Sequence, residues 1–564
     1  MKKNPILLLL AFAFILGCES KKEIIPNAEM FRLNQLGYYP NSVKQFVVID
    51  TLVKAFELVD ENGTTVFSDK LTNKGFWGIS GEKVMMGDFS SFAKPGKYTL
   101  MVDGSILSFP FEIKEKLYDE ALRAAIKSYF FQRASMPIEE KYGGIYQRAA
   151  GHTDMNCVYH PSTGKTSGRL DSPGGWYDAG DYGKYIGNAS VSVGQMLNLI
   201  EMFPDIIPDN TLNIPESGNG ISDLLDELKY ELDWILTMQD DDGGVYHKLT
   251  AKNFSGFIMP EDYNLERLVI GKGTAATLNF SAVLAQASRL YKKIDPEWSG
   301  KALQASEKAF GWALLNDDIP YTNPEDVVTG AYDDDVFDDD FSWAASELFI
   351  TTRNRKYADY METYDQAYIH QLTNSWKLFV RNNGFHSLLL NRDKLDVYKV
   401  DNLTQGHLKL ADSLLNKITN NPYHVALDRY EWGSNSDVLN QAMILCFAHY
   451  LTGNEKYLVG AEQINDYIFG KNAMGYCFLT GFGFKRVMHP HHRPSGADGI
   501  DDPIPGFIAG GPNNHRQDKS QVNYPSEFPA KAYMDLQASY ASNEVCLNWN
   551  APAVFVMGYL QMVR

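Results

Sequence analysis

The feature that most constrains this chain is a change of hydrophobic period near Lys116. Beyond it, apolar residues recur every three to four positions through most of the remaining sequence, the spacing that gives a helix one buried face. In ISDLLDELKYELDWIL the residues Ile221, Leu224, Leu225, Leu228, Leu232 and Ile235 follow 3, 4 and 7 spacings. Asp223, Asp226 and Glu227 fall near its start, where the helix dipole favours acids. Similar segments recur at 119–135, 186–203, 274–293, 299–315, 339–353, 361–382, 405–419, 436–452, 455–470 and 538–563. Gly, Asn or Pro separates most of them. About eleven helices with little strand signal predict an all-α domain over 115–564 whose loops gather at one end and carry the chemistry. The helices lack sequence self-similarity, which argues against a solenoid.

Before the change the pattern alternates. KQFVVID and YTLMVDG are β-rich, and Asn62-Gly63 and Asp103-Gly104 are dipeptides of tight hairpins. Residues 30–114 therefore read as a small antiparallel β-sandwich, giving a multidomain chain, all-β then all-α. The first 18 residues, MKKNPILLLLAFAFILGC, carry two lysines and an apolar run from Ile6 to Leu16 that is too short to span a bilayer. They read as an export signal. ILGC resembles a bacterial lipoprotein cleavage box, which would make Cys18 the lipidated first residue of the mature chain and 19–29 a polar tether. An accidental cysteine after an ordinary signal peptide is the alternative. Acyl chains contribute about 0.8 kcal/mol per buried methylene, so several would hold the protein on a membrane. The placement expected is the outer membrane, facing the cell surface.

The net charge of −18 argues against nucleic acid as a partner, since such a surface repels a polyanion. The four cysteines beyond Cys18 are too scattered for a disulfide framework. His152, Cys157 and His160 in HTDMNCVYH stand at near-ligand spacing for zinc, without an evident fourth ligand. GGWYDAGDYGKY sets Asp178 and Asp181 three positions apart before a helix. Such a pair serves either as ordinary turn residues or as a device that positions and deprotonates a water. Asp535 and Glu544 form a second acidic cluster, on one face if a single helix runs through both. A carboxyl on a water-positioning loop and another beside Trp549 meet the two-carboxylate requirement of glycoside hydrolysis.

In order along the chain, RLNQLGYYP, GGWYDAGDYGKY, IPESGNGISDLLDELKYELDWIL, MQDDDGGVYHKLT, WGSNS, LTGFGFKRVMHPHHRPS and YASNEVCLNWNAP resemble glycoside hydrolase family 9 from residue 32 to 552. Its members often carry an N-terminal immunoglobulin-like domain. The resemblance implies an (α/α)6 barrel and inverting hydrolysis of β-1,4-glucan. By position it implies Asp181 as general base, Asp178 as the partner that holds the water, and Glu544 as general acid. It also implies His491 and Arg493 as contacts to sugar hydroxyls and Asp535 as the acid that orients this group. Cys546 departs from the usual Ser, Thr or Ala.

No cofactor is needed for such chemistry. The run YDDDVFDDDF offers carboxylates for a structural calcium, with Asp339 and Asp340 matching an acidic pair that holds calcium in related proteins; a solvated loop with acidic caps is the other reading. Trp176 and Trp432 flank glycine-rich loops and could stack on sugars or pack in the core. The partner expected is a β-glucan, cellulose-type, mixed-linkage or xyloglucan. A glycan-binding protein that lost hydrolysis, a retaining glycosidase and a polysaccharide lyase on a similar barrel are the alternatives.

Overall fold

The computed structural model describes residues 28–49, 52–361 and 380–564, without the side chains of Val397 and Tyr398. The export segment, Cys18 and all of the tether before Ala28 lie outside the described residues, as does most of the helix expected over 361–382.

Two sheets face each other in the first domain. One runs Phe31–Arg32, Gln45–Ile49, Glu82–Asp88, Thr72–Trp77; the other runs Gly37–Tyr38, Phe111–Ile113, Gly96–Val102, Ala55–Asp60, Thr65–Lys70, with Ile106–Leu107 paired on Gly96–Val102. Their inner faces bury Phe46, Val48, Phe56, Leu58, Leu100 and Phe111 around one core. Both hairpin dipeptides form tight turns. At Asn62-Gly63 the Asp60 carboxylate accepts the Asn62 and Thr64 N–H groups, each at 2.9 Å. Asp103 and Gly104 both take positive φ, 52° and 67°, as the central pair of a turn matched to strand twist, which Ser105 N–H closes on Val102 O at 3.3 Å.

The second domain is a double ring of helices. Ile186–Met202, Thr274–Tyr291, Asp338–Thr352, Arg381–Leu390, Ser434–Thr452 and Leu547–Val563 are buried nearly all round and form the inner ring. Leu547–Val563 packs against both Ile186–Met202 and Ser434–Thr452, which helps close it. Asp119–Phe131, Asp223–Thr237, Pro296–Ala313 and Val397–Asn420 lie outside and are amphipathic, because one face meets water.

Two local expectations fail. The helical period hid a five-stranded sheet, ordered Arg169–Leu170, Cys157–Tyr159, Leu268–Lys272, Tyr246–Thr250, Lys184–Tyr185, whose strands of two to five residues are too short for a periodic signal. The helix expected over 538–563 is also broken: a single turn, Tyr540–Asn543, ends at an extended Glu544, and the long helix begins at Leu547.

The sandwich is bonded tightly to the barrel. Asn34 donates to Tyr118 and Asp466, both at 2.9 Å, and the Gln35 N–H reaches Phe469 O at 2.9 Å. Buried Glu82 accepts Tyr423 at 2.9 Å and pairs with Lys531 at 2.6 Å. Among the described residues no helix is long and apolar enough to cross a membrane.

Candidate active site

The loop holding Asp178 and Asp181 is closed by its own hydrogen bonds. The Asp178 N–H donates to Gly183 O at 2.9 Å, and the Asp181 carboxylate accepts the Gly183 N–H at 3.0 Å. The chain then pairs as Lys184–Tyr185 and enters Ile186–Met202. Asn188, in the first turn of that helix, donates to Asp178 Oδ1 at 2.8 Å, while Tyr332 donates to Oδ2 at 2.7 Å. The Cys546 thiol lies 3.9 Å from the same oxygen.

Glu544 arrives from the far end of the chain on an extended segment. Its stretch bridges three others: Ala179 with Cys546, His491 with Glu544, and Ala509 with Val545. Leu547 N–H donates to Asp178 O at 2.9 Å and His491 N–H to Asn543 O at 2.8 Å. This small irregular sheet joins the base loop to the acid segment, and it explains the broken helix: Glu544 and Val545 need extended backbone to pair.

Asp181 and Glu544 line one cavity of about 520 Å³ together with His491, Arg493, Trp432 and Tyr540. Asp178 does not line it; the residue is buried and meets the cavity through Tyr332 and Cys546, which do. Arg493 ties two walls, donating through Nη1 to Gly180 O at 2.6 Å and through Nε to Ser255 O at 3.1 Å. His491 Nδ1 lies 2.6 Å from Gln537 O, and since a carbonyl only accepts, that nitrogen carries the proton and Nε2 is an acceptor.

Desolvation and then the charge of Asp181 hold the Glu544 carboxyl well above the usual range. The same two causes push Asp178 up to about 7, against the donors Tyr332 and Asn188. Burial pulls the His491 imidazole down to about 4, so it is neutral at ordinary pH. The cavity thus sets a carboxyl held toward its protonated form, Glu544, in the same space as a second carboxyl, Asp181, the pairing that acid–base cleavage requires.

The sequence expectations for Trp176 and for zinc need correction. Trp176 offers no platform: it is 1% exposed, packs against Tyr129 and donates to Glu227 at 2.9 Å. Trp432 does line the cavity. Asp535 touches neither the cavity nor Glu544; it accepts the Met488 and His489 N–H groups at 2.8 Å and Asn543 at 3.1 Å, so it acts on the segments that carry His491 and Glu544. The zinc reading of His152, Cys157 and His160 does not match the structure, where they turn to different neighbours: His152 Nδ1 to Tyr177, the Cys157 thiol to Asp154 O, and His160 to Ser162 and Asp326. Among the described residues no group of three or more His, Cys, Asp or Glu is arranged to hold a metal. Asp339 and Asp340 are buried side by side, with Asp339 Oδ1 and Asp340 Oδ2 lacking hydrogen-bond partners.

Sequence reasoning missed Tyr332, Asn188 and the wall around Phe254, whose ring Arg493 overlies at 5.5 Å. Tyr332 directly precedes the acidic run, which was the available signal.

Residues 118–557 match the model of glycosyl hydrolase family 9, and residues 27–106 match a cellulase N-terminal Ig-like domain. A xyloglucan-specific endo-β-1,4-glucanase of Bacteroides ovatus is 40% identical over 563 residues, covering 95% of this chain and 94% of the relative. Endoglucanase D of Acetivibrio thermocellus is 34% identical over 532 residues, covering 93% and 82%. A solved Bacteroides ovatus GH9 structure superposes with a TM-score of 0.87 at 39% identity, covering 95% of this chain and 99% of the other. The double ring is thus an (α/α)6 barrel, and the sandwich is Ig-like.

Proposed function

The chain belongs to glycosyl hydrolase family 9, and from that premise we propose how its cleft works and which glucan it takes. It is an inverting endo-β-1,4-glucanase, and its substrate is xyloglucan. Asp181 is the general base, Glu544 the general acid, and Asp178 helps hold the attacking water from behind the base. The observation that carries the reading is that Asp181 and Glu544 share one cavity while their carrier segments are bonded to each other.

In the reaction a water attacks the anomeric carbon from the face opposite the leaving oxygen. Asp181 takes the water's proton as the new C–O bond forms, and Glu544 gives its proton to the glycosidic oxygen as the old bond breaks. One turnover leaves Asp181 protonated and Glu544 ionised, and exchange with solvent restores both. Neutral His491 accepts from a sugar hydroxyl through Nε2, Arg493 donates to another, and Trp432 offers its ring to a sugar face. Asp535 holds the segments bearing His491 and Glu544. Side chains alone do this chemistry.

Xyloglucan as substrate is supported by the Bacteroides ovatus relative. Val328, Thr329, Gly330 and Ala331, none larger than valine, form part of one wall of the cavity, and we read that wall as the side that takes a branch. The test is product release from xyloglucan, mixed-linkage glucan, a cellulose derivative and mannan by wild type and Glu544→Gln. Xyloglucan is cleaved fastest, and the variant loses about a thousandfold. Equal product from both proteins removes Glu544 from its role, and a preference for unbranched cellulose removes xyloglucan.

Asp339 and Asp340 are read as ligands for a calcium ion, which would satisfy their orphaned buried oxygens and offset two adjacent like charges. Its place would be structural. A heat-unfolding midpoint that ignores both chelator and added calcium argues against it. Cys18 is read as the lipid attachment site of an outer-membrane, surface-facing enzyme, supported by ILGC after a lysine-led apolar run. Release of Cys18→Ala from the membrane fraction is expected; retention would remove the anchor.

A further inference from the structure

We propose that Lys248 is a positioning residue for the catalytic pair: its buried ammonium fixes the cleft wall at 323–332 and supplies positive charge to the base loop. The inference rests on the reading of Asp181 as general base.

Lys248 sits on Tyr246–Thr250, whose antiparallel pairing sets it opposite Tyr185, four residues past Asp181. Its side chain is fully buried. Taking an ammonium out of water is costly, and buried charges are ordinarily paired. The hydrogen-bond partners here are neutral: Asn323 Oδ1 and Gly330 O at 2.7 Å, Thr329 Oγ1 at 3.2 Å and Thr329 O at 3.3 Å. All lie on the segment that builds one wall of the cavity. Tyr332, two residues past Gly330 on the same wall, delivers the hydrogen bond to Asp178. His247 Nε2 reaches Ala331 O at 2.8 Å, so the strand grips the wall at consecutive points.

An amide would serve as well if stapling the wall were the whole purpose. A charge with no carboxylate within ion-pair distance, among the described residues, points to one farther off that it offsets. The carboxylate acting on Lys248 through space is Asp181. Around the two stand Asp178 and Tyr185 from the base loop, Glu544 from the acid segment, Tyr321 from the wall and His247 from Lys248's own strand. The ammonium stands behind the wall that Asp181 faces across the cavity, and there its charge opposes that of the base loop. Burial pulls the Lys248 ammonium down to about 7, with Asp181 opposing the fall, so it is charged on the acid side of neutrality.

The test is kcat/KM against pH on a xyloglucan oligosaccharide for wild type, Lys248→Gln, Lys248→Met and Lys248→Arg, with Asp181→Asn alongside. Glutamine keeps amide donors for the wall without the charge. Its acid limb should move up by about one pH unit, lowering kcat about tenfold at pH 5.5 while KM changes little. Methionine shares that shift with a larger kcat loss, and arginine keeps the limb in place. An unshifted limb in Lys248→Gln, whatever the loss of stability, overturns the proposal. A shift in Lys248→Arg equal to that of glutamine overturns it too, and these two variants decide the matter if methionine does not fold. Activity retained in Asp181→Asn would instead show that the base assignment had failed, and the charge argument with it.

Discussion

Replacing Gly180 by alanine is a direct trial of the contact between the base loop and the strand beside the acid. Gly180 lies between the two aspartates, and a methyl group there would sit 2.0 Å from His491 O. Carbon–oxygen contacts settle at about 3.3 Å, so the segments must part by about 1.3 Å. Nothing flexible can yield. The obstacle is backbone, held by the His491 N–H bond to Asn543 O and by its bridge to Glu544. Gly180 O also accepts the Arg493 N–H at 3.1 Å and Nη1 at 2.6 Å, and both bonds stretch as the loop retreats. A misplacement of about 1 Å in reacting groups lowers rate about 100-fold, equivalent to about 2.7 kcal/mol of transition-state stabilisation. The assay is kcat and KM on a xyloglucan oligosaccharide, with circular dichroism to confirm folding. A kcat about 100-fold lower with KM within about threefold is expected. A folded variant with kcat within about threefold of wild type would refute the reasoning, because loop and strand would then not need their contact.

Other consequences follow from the same geometry. Tyr332→Phe removes a 2.7 Å donor to ionised Asp178; its carboxyl, already raised to about 7, rises further, and the acid limb of kcat/KM moves to higher pH. An unmoved limb would show that Asp178 contributes nothing to it. Trp432→Ala is expected to raise KM several-fold with an unchanged unfolding midpoint, whereas Trp176→Ala, at a 1% exposed core position, costs about 3 to 5 kcal/mol of stability; the reverse pattern would return Trp176 to the substrate. Burial holds the His407 imidazole down to about 4 in the folded chain. A depressed folded value gives stability that is full above about pH 6.5 and lost as pH falls from there toward 4. His407→Gln should therefore lose less of its unfolding midpoint between pH 7 and 4.5 than wild type; parallel losses would remove His407 as a cause.

The double ring was legible because helices such as Asp223–Thr237 repeat their apolar positions over four turns, and the hairpins because Asn62-Gly63 and Asp103-Gly104 state their turn locally. The carboxylates stood in local motifs as well. Their supports did not. Asn188 and Tyr332 meet Asp178 from different segments, and Asp535 works through Met488 and His489, contacts formed only when distant stretches converge. Trp176 misled because a ring beside glycines reads the same whether it faces a sugar or Tyr129. The short strands around Lys248 carry too few residues for any period.

The stereochemistry of the first product tests the central claim most directly. Proton NMR of a fresh digest, recorded before mutarotation, distinguishes the newly formed anomers. A water activated by Asp181 on the face opposite the bond protonated by Glu544 must give the α-anomer first from a β-1,4 linkage. Initial appearance of the β-anomer would mean a covalent intermediate and two displacements, and would contradict the assignment of Asp181 as a base acting on water.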